Sequence, residues 1–342
     1  MMPEYSDPFS LQAVHTFGLQ AHARRLVTVH SEGQLRDIVA ACQQAGETFF
    51  VLGEGSNTVF TTDVNATVIR MGLMGRQWLE PASAHVRLRV AAGENWHELV
   101  EWTLLQGRPG LENLALIPGS VGACPVQNIG AYGLEVMDRI ESVRILDLAT
   151  LEFRELSAVE CRFSYRDSIF KHELSERAVI TAVTFALPLR WEPVASYADI
   201  ARCLGSSGIS VPTARDIFNA VVAVRTSKLP DPRVMGNAGS FFKNPIVDGS
   251  VLDQLRASWP EIVSYPQPDG RVKLAAGWLI DKAGLKGFAV GGAAVSDKQA
   301  LVLVNRGGAT ASDLRGLVEH VKTTVAERFG VELEPEPVMM PK

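Results

Sequence analysis

Apolar residues recur at helical spacing in several stretches of the chain and at alternating or continuous spacing in others, and these two periods lay out the expected elements. In SEGQLRDIVAACQQAG, residues 31–46, Leu35, Ile38, Val39 and Cys42 share one face, Ser31 and Gln34 stand at capping-box spacing, and Gly46 stops the run. NWHELVEWTLLQG, 95–107, lines Trp96, Leu99, Val100 and Leu104 along a second helix closed by Gly107. TARDIFNAVVAVR at 213–225 and SVLDQLRASW at 250–259 are also helical. So is ASDLRGLVEHVKTTVAERFG at 311–330, where Leu314, Leu317, Val318, Val321 and Val325 keep a 3.6-residue period up to Gly330. TFFVLG reads as a buried strand, and TVIRM, HVRLRVAAG, SVRILDL, ALVLVN and VELE as further strands. Two glycine-rich stretches fit neither period. One is GEGSN at 53–57; the other is LENLALIPGSVGACPVQNIGAYG at 111–133, and loops of that length inside a domain are usually functional. Around TSKLPDPRVMGNAGS, prolines and glycines replace the helical pattern, and a domain boundary is expected there.

Composition narrows the class. The 342 residues are 46% apolar and 21% charged, as in a soluble globular protein large enough for two or three domains. The net charge of −5 is spread along the chain, with no basic stripe for nucleic acid and no polybasic patch for a membrane. Cys42, Cys124, Cys161 and Cys203 lie far apart, which argues against a metal site and against a disulfide framework. MMPEYSDPFSLQ lacks the basic-then-apolar order of a leader, and no run approaches the roughly 20 apolar residues that span a bilayer. A cytoplasmic protein is expected.

The chemistry-bearing stretches each allow a plain reading beside a functional one. GEGSN comes after a strand, and successive small residues let peptide N–H groups converge on a phosphate. Gly53 and Gly55 match the first two glycines of a dinucleotide fingerprint, but Thr58 stands at the third and opens a strand-like run, so neither that fingerprint nor a Walker loop is present. A tight turn and a phosphate cradle both remain open. The 117–133 loop could grip the same extended anionic ligand from another side, with Ile117, Val121 and Ile129 suited to a flat ring; a packed loop is the alternative. In CRFSYRDSIFK, Arg166 either staples a loop or fixes a carboxylate bidentately. Glu332, Glu334 and Glu336 share one face of VELEPEP; burial of one beside a reacting centre would raise its pKa enough for acid catalysis. Ser240, in GNAGSFFKNP, has no GxSxG elbow and no histidine close in sequence. It is either a turn hydroxyl or the donor of a proton to a carbanion, with Lys243 or Asn244 polarising the site.

Together LGEGSN, AGENWHELV, PGLENLALIPGSVGACPVQNIGAYG, CRFSYRDSIFK, RTSKLPDP, GNAGSFFKNP, KLAAGWLID, GGAAVS and the terminal LEPE resemble one family, the UDP-N-acetylenolpyruvoylglucosamine reductases. They keep the family's order over nearly the whole chain, and Tyr197 in ASYADI matches the loop tyrosine of its type I members. The resemblance implies an α+β protein: a two-lobed FAD-binding domain of the vanillyl-alcohol-oxidase type over 16–190 (lobes about 16–70 and 71–190), a substrate loop and connecting helix over 191–227, a C-terminal α+β substrate domain over 228–330, and a terminal strand over 331–342 carrying Glu336.

It further implies noncovalent FAD, held by Gly53, Glu54, Gly55, Ser56 and Asn57 from the first loop. From the second loop it implies Pro118, Gly119, Ser120, Gly122 and Ala123, then Gln127, Asn128, Gly130, Ala131 and Tyr132. NADPH would be the cosubstrate and UDP-N-acetylglucosamine enolpyruvate the substrate, reduced to UDP-N-acetylmuramate for peptidoglycan, with hydride passed from flavin N5 to C3. Ser240 would protonate C2, with Arg166 and Glu336 as catalytic partners, while Tyr197, Lys228, Asn244 and Gln299 would contact the UDP-sugar. No metal is implied, and the expected state is a monomer. Two departures stand out: Ala198 comes after the loop tyrosine where glycine is common, and Pro337 after Glu336. An oxidase of the same superfamily and a nonenzymatic nucleotide-sugar binder are the competing readings.

Overall fold

The computed structural model describes residues 8–80 and 84–341. Residues 1–7, part of the stretch read for a leader pattern, lie outside the described residues, as does Lys342 of the expected terminal segment. The chain forms two units, one of Met1–Phe9, Ala23–Glu54 and Asn65–Ser227, the other of Ser10–His22, Gly55–Val64 and Lys228–Lys342.

In the first unit, helix α1 (Glu32–Gln44) starts where Ser31 Oγ accepts the Gln34 N–H at 3.2 Å. The reciprocal half of the capping box is displaced by one residue, because Gln34 Oε1 takes the His30 N–H rather than that of Ser31. Leu35 and Val39 pack the helix on Val29 and Ile69, which belong to a four-stranded sheet ordered Phe9–Ser10, His22–Val29, Val64–Met71, Phe49–Leu52. The last strand runs parallel to its neighbour and forms the sheet edge. The run TFFVLG, expected to be buried, is therefore half-buried, with Val51 38% exposed; an edge strand has a neighbour on one side only.

A five-stranded antiparallel sheet orders Phe153–Ser157, Ile140–Asp147, Ala178–Pro188, His85–Ala91 and Arg76–Trp78. Its middle strand is buried without interruption from Val179 to Phe185. Helix α2 (Trp96–Leu105), capped by Asn95, buries Trp96, Leu99 and Val100 in the same core as Leu88, Val90, Val183 and Phe185. Helices α3 (Ala198–Ser206) and α4 (Ala214–Lys228) come next, and Ile200, Ile217, Phe218 and Val221 enter that core.

The second unit has its own core. Gly236–Ser240, Val302–Asn305, Ala293–Val295 and Ala289–Val290 form an antiparallel sheet, and Ile246–Val247, Val272–Leu274 and Ser264–Pro266 form a smaller one. Helices α5 (Gly249–Ser258), α6 (Ala276–Lys282) and α7 (Ala311–Phe329) cover them. α7 has a full capping box between Thr310 and Asp313 and ends on Gly330 at φ 66°. Its Leu314, Leu317, Val321 and Val325 are fully buried, each stabilising the fold by on the order of 2 kcal/mol.

Phe17, Leu19 and Val59 fill this same core, so the first expected lobe, 16–70, is not one contact unit: Ser10–His22 and Gly55–Val64 belong with the C-terminal segment. VELE is not a strand either. Val331 and Leu333 turn inward and Glu332 and Glu334 outward; Pro335 makes an isolated antiparallel bridge with Phe242, and the ladder itself begins only at Val338–Met340, paired parallel with Thr58–Phe60, after Pro337, which lacks an N–H.

Candidate active site

Within the first unit, the two glycine-rich loops meet. The Glu54 carboxylate accepts hydrogen bonds from Asn95 Nδ2 at 2.6 Å and from the Gly119 N–H at 3.1 Å. Asn95 Oδ1 caps α2 through the Glu98 N–H, and the Trp96 N–H donates to the Gly119 carbonyl at 2.9 Å. Glu54 thus clamps one loop to the other. Asn95, not among the residues expected from the sequence, is the hinge of that clamp; its position three residues before Glu98 at a helix start was the available signal. A side chain at Gly53 would strike Ser120 Oγ, and a Cβ at Gly122 would lie 2.6 Å from that of Ala92; both glycines answer to close approach of backbone.

Pro118 and Ala123 are both exposed, beside the buried Ser120 and Val121. Of the three apolar residues expected to suit a flat ring, Val121 is fully buried in the core and Ile129 is 8% exposed, which leaves only Ile117 half-buried. Leu116, Gly119, Asn128, Tyr132 and Gly133 all have positive φ. Such residues turn peptide N–H groups toward one side, an arrangement suited to oxyanions. The clamped, glycine-lined loops therefore fit an extended anionic cofactor.

Asn128 is fully buried; its Nδ2 donates to Glu135 and to the Ser164 carbonyl, and its Oδ1 accepts the Met137 N–H. Its side chain serves the fold, and its N–H donates to the Pro125 carbonyl at 3.2 Å. Gln127 and Ala131 are half-buried, and Gly130 and Ala131 form a two-residue hairpin with Leu134 and Glu135. Arg166 sits at φ 55°, an uncommon conformation for a residue with a side chain. Its Nη2 donates to the Gly130 carbonyl at 2.8 Å, its Nη1 to that of Asn128 at 3.4 Å, and the guanidinium lies 5.4 Å from the Tyr165 ring. The Tyr132 ring meets Tyr197 edge-on at 5.2 Å, and burial pushes the Tyr132 phenol up. Tyr197 stands at the N-cap of α3, and Ala198 is the helix's first residue.

Within the second unit, Ser240 closes the strand Gly236–Ser240, which carries a bulge between Asn237 and Ser240 opposite Val304 and Val302. Gly239, at φ 70°, lies within the bulge, which re-aims the serine. Asn237 fixes it: Oδ1 accepts the Gly239 N–H at 3.0 Å while Nδ2 donates to the Pro230 and Met235 carbonyls. Thr16, also unforeseen, donates its hydroxyl to the Asn237 carbonyl at 2.7 Å and its N–H to the Gly55 carbonyl, with the Ser56 carbonyl alongside, so it joins the far half of GEGSN to the bulge.

Glu336 arrives at the same place. Its N–H donates to the Phe241 carbonyl at 2.9 Å, one residue past Ser240, and its own carbonyl accepts from Asn57 Nδ2 at 3.4 Å. The Val338 N–H then bonds the Asn57 carbonyl, and the parallel strand begins, so Pro337 is accommodated. Asn57, Ser240 and Glu336 are brought together. Lys243, offered as a polarising group, instead pairs with Glu334 through both side chain and backbone. Asn244 Oδ1 accepts the Ala276 N–H at the start of α6, and the Gln299 carbonyl accepts the N–H of Val302, the residue paired with Ser240. Lys228 is the last residue of α4.

Comparison with known proteins places this arrangement in a class. Residues 23–157 match the FAD binding domain family, and residues 231–340 match the C-terminal domain of UDP-N-acetylenolpyruvoylglucosamine reductase. The protein is an FAD-dependent oxidoreductase of α+β fold. It is 52% identical to the UDP-N-acetylenolpyruvoylglucosamine reductase of Burkholderia mallei over 99% of this chain and 97% of that one. Identity is 54% with the reductase of Paraburkholderia phymatum, over 99% and 98%. The crystal structure of the enzyme from Thermus caldophilus superimposes with a TM-score of 0.66 at 26% identity, covering 99% of both chains. The chain belongs to the UDP-N-acetylenolpyruvoylglucosamine reductase family, whose members serve peptidoglycan synthesis. No helix among the described residues is long and apolar enough to cross a membrane.

Proposed function

We propose that the protein reduces UDP-N-acetylglucosamine enolpyruvate to UDP-N-acetylmuramate with NADPH, in the cytoplasm and as a monomer. The observation that carries the chemistry is the bond from the Glu336 N–H to the Phe241 carbonyl, which holds a carboxyl-bearing residue next to Ser240. Bound FAD supplies two-electron hydride chemistry between NADPH and C3 of the enolpyruvyl group.

The protein residues handle the charge and the proton. Addition of hydride to C3 leaves electron density at C2, delocalised into the carboxylate. Arg166, held rigid by the Asn128 and Gly130 carbonyls, meets that negative charge with a permanently cationic fork. Ser240 gives its hydroxyl proton to C2 and regains one from solvent. A hydroxyl is too weak an acid to protonate most groups at neutral pH, but C2 at this stage is a strong base, so no histidine is required. The bulge held by Asn237 supports this reading, since it redirects the strand just before the serine. Glu336 supports the enolic form from beside Ser240, and Tyr197, Lys228, Asn244 and Gln299 hold the nucleotide sugar.

The test is the flavin's colour. NADPH should bleach it anaerobically, and UDP-N-acetylglucosamine enolpyruvate should restore it. Ser240→Ala should still bleach while losing substrate-driven recovery by about 10³-fold or more; recovery at the parent rate would rule Ser240 out as proton donor.

A further inference from the structure

α4 places an arginine where its period calls for an apolar residue. Phe218 and Val221 are buried, and Arg225, seven and four positions on, continues their face. Its Nε is buried and has no hydrogen-bond partner among the described residues. The Tyr132 phenol and the Arg166 guanidinium both lie near enough to act on its charge, the first favouring it and the second opposing it. Burial first, then that like charge, holds the Arg225 guanidinium below the ordinary arginine value, although it stays charged at any pH where the protein is folded.

A buried cation with an unmet N–H is costly, and at Arg225 no ion pair to a carboxylate offsets it among the described residues. Asp199, the acidic group whose field reaches Tyr132, is bonded to Arg202 at 3.1 Å. What Arg225 lacks is an oxyanion. Tyr197, packed on Tyr132, and Lys228, one turn further along α4, are the residues assigned above to the nucleotide sugar.

We propose that Arg225 binds the diphosphate group of a nucleotide ligand, with Tyr132 orienting its guanidinium. The inference rests on the proposed activity for the identity of that ligand, since the nucleotide sugar and NADPH both carry a diphosphate. Arginine suits the task because its planar fork meets phosphate oxygens in pairs, which lysine cannot do.

The experiment uses the FAD-loaded enzyme and titrates uridine, UDP and NADP⁺ by calorimetry, parent against Arg225→Lys. Loss of at least tenfold in UDP affinity with uridine affinity unchanged supports the proposal for the nucleotide sugar, and the same loss for NADP⁺ extends it to the cosubstrate. Equal UDP and NADP⁺ affinities in a folded, flavin-replete variant overturn it, as does an equal loss for uridine. In turnover, KM for the affected nucleotide should rise about tenfold with kcat within about twofold. Should the variant not fold, inorganic pyrophosphate decides on the parent alone: competition with UDP supports the site and no competition overturns it. A parent enzyme that binds UDP but does not turn over the enolpyruvyl substrate would instead overturn the proposed activity.

Discussion

At the scale of single residues, burial sorts side chains that look alike in sequence. Cys42, Cys124 and Cys161 are buried and Cys203 is half-buried. Burial, with Glu160 adding to it, pushes the Cys161 thiol up to about 12, and burial drives Cys124 upward as well. At pH 8 the native protein should therefore react rapidly with a disulfide reagent at about one equivalent of thiol, that of Cys203, with the rest reacting only on denaturation. Rapid labelling that survives Cys203→Ser would contradict this. The sequence made Arg166, Ser240 and Glu336 recognisable through their motifs, but the conformations that equip two of them were not legible: the bulge under Ser240 depends on Thr16, distant in sequence, as well as on Asn237, and the positive φ of Arg166 is set by its loop. Arg225 was legible in principle, as a charge on the apolar face of a helix. The expected ring-facing role of Val121 failed because a glycine-rich stretch still needs apolar anchors in the core.

At the scale of elements, α1 is pinned to the five-stranded sheet by Glu32, whose carboxylate accepts from Arg144 Nε at 2.7 Å and from the Thr181 hydroxyl at 2.7 Å. Burial alone would raise the Glu32 carboxyl, but these bonds outweigh it and hold it below the usual glutamate range. A carboxyl depressed by folding adds stability that is fully present above its unfolded value of about 4.3 and is lost as the pH falls through the lower, folded value. With both side chains about one third exposed, Glu32→Gln should cost roughly 1 kcal/mol at pH 7, and the gap should be smaller at a pH below the unfolded value. Urea midpoints at the two pH values measure it; a constant gap would deny the ion pair its role. Helices carrying their own caps were legible to within a residue or two, since the cap and the apolar stripe are local. Strand environment was not, because the edge position of Phe49–Leu52 is decided by a partner, Val64–Met71, elsewhere in the chain.

At the scale of the molecule, the second unit borrows from the N-terminal quarter of the sequence. Phe17, Leu19 and Val59 sit in a core otherwise built from residues beyond 237, and the strand Val338–Met340 has Thr58–Phe60 as its partner. A fragment spanning residues 228–342 should accordingly lack sharp near-ultraviolet dichroism and unfold without a cooperative transition, losing three large apolar anchors and a strand at once. A cooperative melt of that fragment would show its core to be self-sufficient. A core shared among three separate segments leaves no local mark in the sequence.

That borrowed core also sets an order of events during synthesis. Ser10–His22 leaves the ribosome more than two hundred residues before most of its packing partners do, a delay of roughly 10–40 s at about 5–20 residues per second. For that interval Phe17 and Leu19 lack the core that buries them in the finished fold, and a chaperone that recognises apolar side chains has its opportunity there.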